Sequence, residues 1–583
     1  MNSETKTCQN CKQSFKIEAD DFNFYEKINV PPPTWCPNCR AQRRLIFRNE
    51  RTLYRRKCDL CGKDIISIFH KDSPQTVYCQ PCWWSDKWDP TSYSRDYDFS
   101  RPFFEQFLEL YRKVPLPALS TFYTTLVNSE YVNQAGYMKN CYLLFDSDYD
   151  ENCAYGTEVE HSHDCFDCLM INGCSLAYEC VNCQKCYEIF YSMDCDNSHH
   201  VWFSRDLIGC SYCFGCTNLR NKQYHIFNKP YSKEEYEREI KRLSPNSKEK
   251  VLEMKEKVEE FFLTFPRKYI RGRQNTNVSG DYIHHSKEVF NSYIVTEAQN
   301  CKYCMWLIVK PIKDCWDYAG FGNNAQNMYE NMNCGQDVSD ISFSSFVFIS
   351  SSRIKYSIFC YSSQDLFGCV GLRRKSYYIF NKEYSKEDYE KLVPQIIEHM
   401  NKMPYTDGKG RVYKYGEFFP PDLSPFAYNE TTAIEYFPLT ETEVLENGYS
   451  WKETEKRDYK VTTVGPELEW VIGCEHGGKC NHNCTTAFKL IPQELQFYKR
   501  MNIPLPQLCH NCRHHERLGQ RNIFKLSHRR CQCAGASSEN KVYQNNHSHF
   551  HGAEHCPNEF ETSYSPDRKE IVYCEQCYNT EVA

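Results

Sequence analysis

Between Cys141 and Cys216 the chain carries twelve cysteines, at 141, 153, 165, 168, 174, 180, 183, 186, 195, 210, 213 and 216, and every one of these numbers is divisible by three. Read in the same phase from Ser162 to Cys216, all nineteen positions hold small or aliphatic residues and none is charged. A helix needs a period of 3.6 and a plain strand a period of 2, so neither fits. Stacked coils with a small side chain turned inward at every third residue do fit, and they predict a β-solenoid with a narrow Cys/Ser-lined core. Residues 18 apart also match (Ile171, Ile189 and Leu207; Cys174, Ser192 and Cys210), so rungs of about 18 residues are expected. Tyr, Phe and His then fall outward, as an aromatic, solvated face.

Cys-x2-Cys pairs recur inside this run at 165/168, 180/183/186 and 210/213/216, which raises a metal cluster as the alternative. Ser, Ile and Ala occupy the same phase, however, and a ligand does not exchange freely with Ile. The thiols are read as packed, reduced small hydrophobes. The pattern returns at Ser286, Val289, Ser292, Val295, Ala298, Cys301, Cys304 and Leu307, breaks near Pro311, and resumes from Ser339 to Cys369 in another phase. The two halves end alike, "FGCTNLRNKQYHIFNKPYSKEEYE" from Phe214 and "FGCVGLRRKSYYIFNKEYSKEDYE" from Phe367, each leading into a charged helical segment, 232–264 and 385–403.

The ends carry a different chemistry. Cys8 and Cys11 are followed by Cys36 and Cys39, and Cys58 and Cys61 by Cys79 and Cys82. Two Cys-x2-Cys turns each supply half a tetrahedron of thiolates, the zinc-ribbon arrangement, and four thiolates leave no open position for substrate. Gly62 suits the tight turn after its pair, with Lys12 in the equivalent place. The C-terminus repeats this 473 residues on, where Cys484, Cys509, Cys512 and Cys531 match Cys11, Cys36, Cys39 and Cys58 without a gap. After an insertion, Cys556, Cys574 and Cys577 match Cys61, Cys79 and Cys82. Cys8 has no direct counterpart; Cys480 is the expected substitute, with Cys474, His476 and His482 as rivals, and Cys533 rivals Cys531. The insertion holds "HSHFHGAEHC", whose four His could form an extra or alternative site, although such polar-loop histidines are usually only solvated. Four structural zinc ions are expected, two at each end.

Between the second and third ligand pairs at each end lies a basic stretch. "RAQRRLIFRNERTLYRRK" contains Arg40, Arg43, Arg44, Arg48, Arg51, Arg55 and Arg56; "RHHERLGQRNIFKLSHRR" contains Arg513, Arg517, Arg521, Lys525 and Arg529. If helical, the every-fourth-residue rows lie along one face, with almost no acidic partners at i,i+4. In a chain of formal net charge −6, such a row reads as a footprint for phosphates, with RNA or the ribosome as the suspected partner. A protein partner for a solenoid scaffold is the alternative.

With "PPPTWCPNCRAQRRLIFRNERTLYRRKCDLCGKDI", "VYCQPCWWSDKWDP", "SRPFFEQF", "NCYLLFDSDYDENCAYG" and "IFNKPYSKEEYE" in view, the chain resembles a family of zinc-ribbon, Cys-rich repeat proteins common in the reduced genomes of candidate-phyla bacteria. The resemblance implies a cytoplasmic bacterial protein and adds nothing on mechanism.

The expected order is tandem zinc ribbons over 1–90, a linker over 91–127, a first β-solenoid over 128–230, a helical connector over 231–276, a second β-solenoid over 277–382, a helix and irregular linker over 383–470, and tandem ribbons over 471–583. The fold class is mainly β with some α. No secretory signal and no apolar run of about 18 residues is visible, so a cytoplasmic protein without a membrane span is expected. No phosphate-binding glycine loop, nucleophile elbow or open zinc knuckle appears, and the His pairs of "DYIHHSKEVF" and "DNSHHVWF" read as structural. The expectation is therefore a non-enzymatic protein.

Overall fold

A computed structural model describes residues 2–453, 459–462 and 466–582, so parts of the expected 383–470 linker, at 454–458 and 463–465, lie outside the described residues. The fold is mainly β with some helix. It divides into two compact units that interleave in sequence: Met1–Leu119 with Ile270–Lys452, and Ser120–Tyr269 with Glu453–Ala583. Each terminal cysteine-rich region thus shares a unit with the repeat region farther from it in the chain.

In the second unit, short parallel strands run from Asn133–Gly136 to Gln223–Ile226 in two ladders. The register is constant. Leu169 pairs with Val181, Ser175 with Tyr187, and Val201 with Cys213, always twelve residues on. The expected rung of about 18 is therefore corrected to 12. Because every third residue points inward, the sequence aligns with itself at any multiple of three, and periodicity alone does not select the coil length.

The residue before each inward one is left-handed: Gln134, Tyr137, Asn140 and Leu143 begin a series that reaches Phe227. An L-residue there costs roughly 1–2 kcal/mol, and the axial hydrogen bonds offset that cost. Ser162 shows how the inward side chain takes part: its Oγ accepts from Cys174 N at 3.3 Å and donates to Glu160 O at 2.8 Å. Cys141 Sγ donates to Lys139 O and Asp150 O, both at 3.4 Å. Small Cys and Ser therefore fill the axis and also satisfy its polar backbone. Burial pushes the thiols of Cys180, Cys183 and Cys195 well up, which keeps them neutral donors.

The first unit has a related ladder from Gly272–Arg273 to Lys382–Glu383. Here Val289 pairs with Cys301 at 12, Cys301 with Cys315 at 14, Val338 with Ser351 at 13 and Leu366 with Tyr378 again at 12. No break occurs near Pro311, since Ile312–Gly322 pairs with both Ala298–Lys302 and Met305–Val309. The change of phase is absorbed by longer coils. Lys287–Thr296, Ala298–Lys302, Ile312–Gly322 and Met305–Val309 close into a four-strand ring. The charged segments are helical at Lys233–Leu243, Lys248–Phe262 and Lys386–Lys402, each opened by a serine that accepts from the first turn. The expected 91–127 linker instead holds the helix Phe103–Lys113, which buries Phe103, Phe104, Phe107, Leu110 and Tyr111.

Candidate metal centres and the arginine rows beside them

Four cysteine tetrads assemble: Cys8, Cys11, Cys36 and Cys39; Cys58, Cys61, Cys79 and Cys82; Cys474, Cys484, Cys509 and Cys512; and Cys531, Cys556, Cys574 and Cys577. Within each, the sulfur atoms lie within 4.8 Å of one another. The second half of each tetrad is built the same way, while the first half differs. At the N-terminus a tight turn presents the first pair, closed by Lys12 at φ +61° and Gly62 at φ +72°; at the C-terminus a longer loop separates Cys474 from Cys484 and Cys531 from Cys556. The third cysteine precedes a helix (Pro37–Leu45, Gln80–Trp83, His510–Gly519 and Glu575–Val582), whose first-turn amides favour a thiolate. The backbone N–H of that third cysteine also donates to the first sulfur: Cys36 to Cys8 at 3.2 Å, Cys79 to Cys58 at 3.2 Å, Cys509 to Cys474 at 3.3 Å and Cys574 to Cys531 at 3.2 Å. Sulfur contacts with Cys36 and Cys39 hold Cys8 well below the ordinary thiol range, and Cys39 is driven well above it. Crowded sulfurs with amide donors suit a divalent cation such as zinc.

This shared bond corrects one ligand. Cys474, not Cys480, stands where Cys8 stands, and Cys531 rather than Cys533 stands where Cys58 stands. Sequence spacing ranked Cys474 behind Cys480 because its turn to Cys484 is longer than an ordinary knuckle. Cys480 instead joins His476, His482 and Cys512 in a fifth group whose ligand atoms also lie within 4.8 Å of one another. Burial, with His515 and His476 beside it, pushes His482 down to about 4, so its ring is neutral and able to ligate.

The basic stretches are not long exposed helices. The first is helical only over Pro37–Leu45 and turns to strand at Tyr54–Lys57; the second is helical over His510–Gly519 and strand over Ser527–Arg530. Arg40, Arg43, Arg44 and Arg48 are at most 1% exposed. Arg40 reaches Asp317 at 2.7 Å, Arg44 reaches the same carboxylate at 3.2 Å, and Arg43 bridges Glu330 at 2.8 Å and Glu417 at 2.7 Å. Arg48 bonds Asn333 at 2.6 Å and Glu50 at 2.9 Å. In the other unit, Arg513 and Arg517 share Asp167 at 2.5 and 2.8 Å, and Arg513 also meets Glu494 at 3.1 Å. Arg521, also buried, donates to Met170 Sδ at 3.0 Å. Burial pushes the Glu330 carboxyl up against the pull of Arg43 and Arg44, and does the same to Glu494 against Arg513.

The expectation that these residues form an exposed phosphate-gripping row is therefore corrected for Arg40, Arg43, Arg44, Arg48, Arg513, Arg517 and Arg521. All are withdrawn from solvent; carboxylates more than 250 positions away or on the neighbouring helix neutralise Arg40, Arg43, Arg44, Arg513 and Arg517, while Arg48 pairs with Glu50 and Arg521 meets Met170. Arg56 is buried as well, paired to Asp59 at 2.9 Å. Arg529, half-buried, donates to Ser565 O and Gln532. Arg51 is half-buried, while Arg55 and Lys525 are exposed, too dispersed to make a row. Asp317 and Asp167, which sequence reading missed, share one signature: each is a left-handed residue on the outward row of a coil, at φ +52° and +54°.

No family model and no curated protein matches the chain. Among the described residues, no helix is long and apolar enough to cross a membrane. The fold and its sites define a mainly β protein with several four-cysteine clusters able to bind metal.

Proposed function

We propose that the protein is a non-enzymatic scaffold of two β-solenoids, each locked by a pair of zinc ribbons, with outward coil faces available to a protein partner. The burial of the arginine rows carries this reading. Side chains that would have gripped a polyanion clamp the helices Pro37–Leu45 and His510–Gly519 each to a coil of its own unit. All 36 cysteines are free, and a reducing cytoplasmic setting would keep them so.

RNA binding, the second reading, draws on the exposed ladder of Tyr137, Tyr149 and His161. These rings stack on one another, at 4.4 Å and 5° and at 4.7 Å and 12°. An unpaired base needs an open ring face, and here neighbouring rings take most of them, leaving edges and hydroxyls. Salt-dependent anisotropy with a fluorescent single-stranded RNA tests the choice. The scaffold reading expects weak binding and a shallow dependence on salt. A slope of several units in log K against log salt would overturn it in favour of RNA.

A further inference from the structure

We infer that each of the two C-terminal ribbons is a two-metal cluster, in which the last cysteine of the tetrad, Cys512 or Cys577, bridges to a second ion held by one more cysteine and two histidines. The inference rests on reading the tetrads as zinc sites.

In the third ribbon, Cys512 Sγ lies 3.8 Å from Cys474 Sγ on one side and 3.6 Å from Cys480 Sγ on the other. A tetrahedron with zinc–sulfur bonds of about 2.3 Å has an edge of about 3.8 Å, so one sulfur can be a corner of both polyhedra. The second polyhedron is completed by His476 and His482. Their Nδ1 atoms are buried with no hydrogen-bond partner, an arrangement that native proteins avoid unless a ligand or ion supplies the missing bond.

The fourth ribbon repeats the plan with different chain segments. Cys533 is fully buried and in sulfur contact with Cys577, and Asn545 donates to it at 3.2 Å. His551 Nε2 lies 3.4 Å from Cys577 Sγ, while its Nδ1 faces Glu554 O at 2.7 Å. His549 Nε2 meets Glu581 Oε1 at 3.0 Å, and its Nδ1 is buried without a partner. A ring held by a carboxylate or carbonyl at one nitrogen and turned inward at the other is the usual posture of a zinc-bound histidine.

Charge gives the reason. All four cysteines of each C-terminal tetrad are buried, whereas Cys11 and Cys61 are exposed in the N-terminal ones. A zinc with four thiolates carries two net negative charges, expensive to bury. A second zinc, with one further thiolate and two neutral imidazoles, lowers the net charge to one. At the N-terminus only Gln9 and Asn10 stand between Cys8 and Cys11, so the loop between Cys474 and Cys484 that carries His476, Cys480 and His482 has no counterpart there.

Native mass spectrometry of the zinc-loaded full chain should find six ions. The H476A/H482A variant should hold five, H549A/H551A five, and the quadruple variant four. A wild-type count of four, unchanged by these substitutions, overturns the two-metal clusters and leaves the tetrads standing; fewer than four overturns both. Cadmium-113 NMR of the unmutated protein needs no variant: two pairs of signals with scalar coupling through a shared sulfur are expected, and four uncoupled singlets would refute the bridge.

Discussion

The clamps of the two units share one half and differ in the other. In the first, Arg40 and Arg44 share Asp317, and Arg43 spans Glu330 and Glu417. In the second, Arg513 and Arg517 share Asp167, but Glu516 stands where Arg43 stands. The ladder carboxylate one coil on, Glu179, is met there by Lys255 of the helix Lys248–Phe262, at 2.5 Å. The retained half is two arginines four apart on one carboxylate. The third cation comes from whichever element is near. Once a buried charge is committed, its partner can move to another segment but cannot be dispensed with.

Metal removal should separate the units most strongly, since structural zinc sites are worth about 10 kcal/mol or more in small domains. A chelator should take the ions beside exposed Cys11 and Cys61 before those of the fully buried C-terminal tetrads. Hydrogen exchange in peptides from 1–119 should therefore accelerate first; simultaneous loss from both ends would remove this contrast between the units.

Next in size is the loss of one shared carboxylate. Asp317→Ala or Asp167→Ala strands buried guanidinium groups and should cost about 3–5 kcal/mol each, read as an earlier urea transition in the peptides of that unit alone. A loss under about 1 kcal/mol would mean that solvent reaches the clamp.

A smaller effect distinguishes the ladders by pH. Burial pushes Asp148 up to about 7, and Asp150 and Glu160 well above the usual carboxylate range. Between the ordinary carboxylate range near 4 and about 7, the folded second unit keeps a proton on Asp148 that the unfolded chain has lost. The stability that Asp148 contributes should therefore fall as pH rises through that window and level off above it. Asp148→Asn should flatten the slope in denaturation curves taken from about pH 4.5 to 8; an unchanged slope would assign it to other groups.

The smallest concerns the axis. Cys183→Ala should cost about 1 kcal/mol, and Cys183→Ser less, because Ser192, Ser198 and Ser204 already donate from inward positions. Metal content should be the same in both. A changed metal count would return these thiols to the ligand class.

These contrasts also mark what the sequence disclosed. The phase of three at Cys141–Cys216 showed which residues face inward, because inward packing acts locally on every third position. It did not yield the 12-residue coil, since the rows at Ile171 and Cys174 align at 18 as readily. Fifteen of the sixteen tetrad cysteines were picked out by knuckle spacing and by the repeat between the two ends; Cys474 stood only as a rival to Cys480, because its turn is long. The arginine rows looked solvated or ligand-binding because Asp317 and Asp167 lie hundreds of positions away, and nothing near Arg40 or Arg513 announces them. Local patterns disclose which way a side chain faces; only the folded chain discloses what it meets.

The central claim is that the arginine rows are internal clamps, and a double-mutant cycle on Arg517 and Asp167, 2.8 Å apart and both buried, tests it most directly. With Arg517→Met, Asp167→Leu and the double variant compared by urea unfolding, the clamp predicts that each single change is costly. The double variant should then recover about 2–3 kcal/mol of the summed loss. Single changes that are nearly silent, with a coupling near zero, would contradict it.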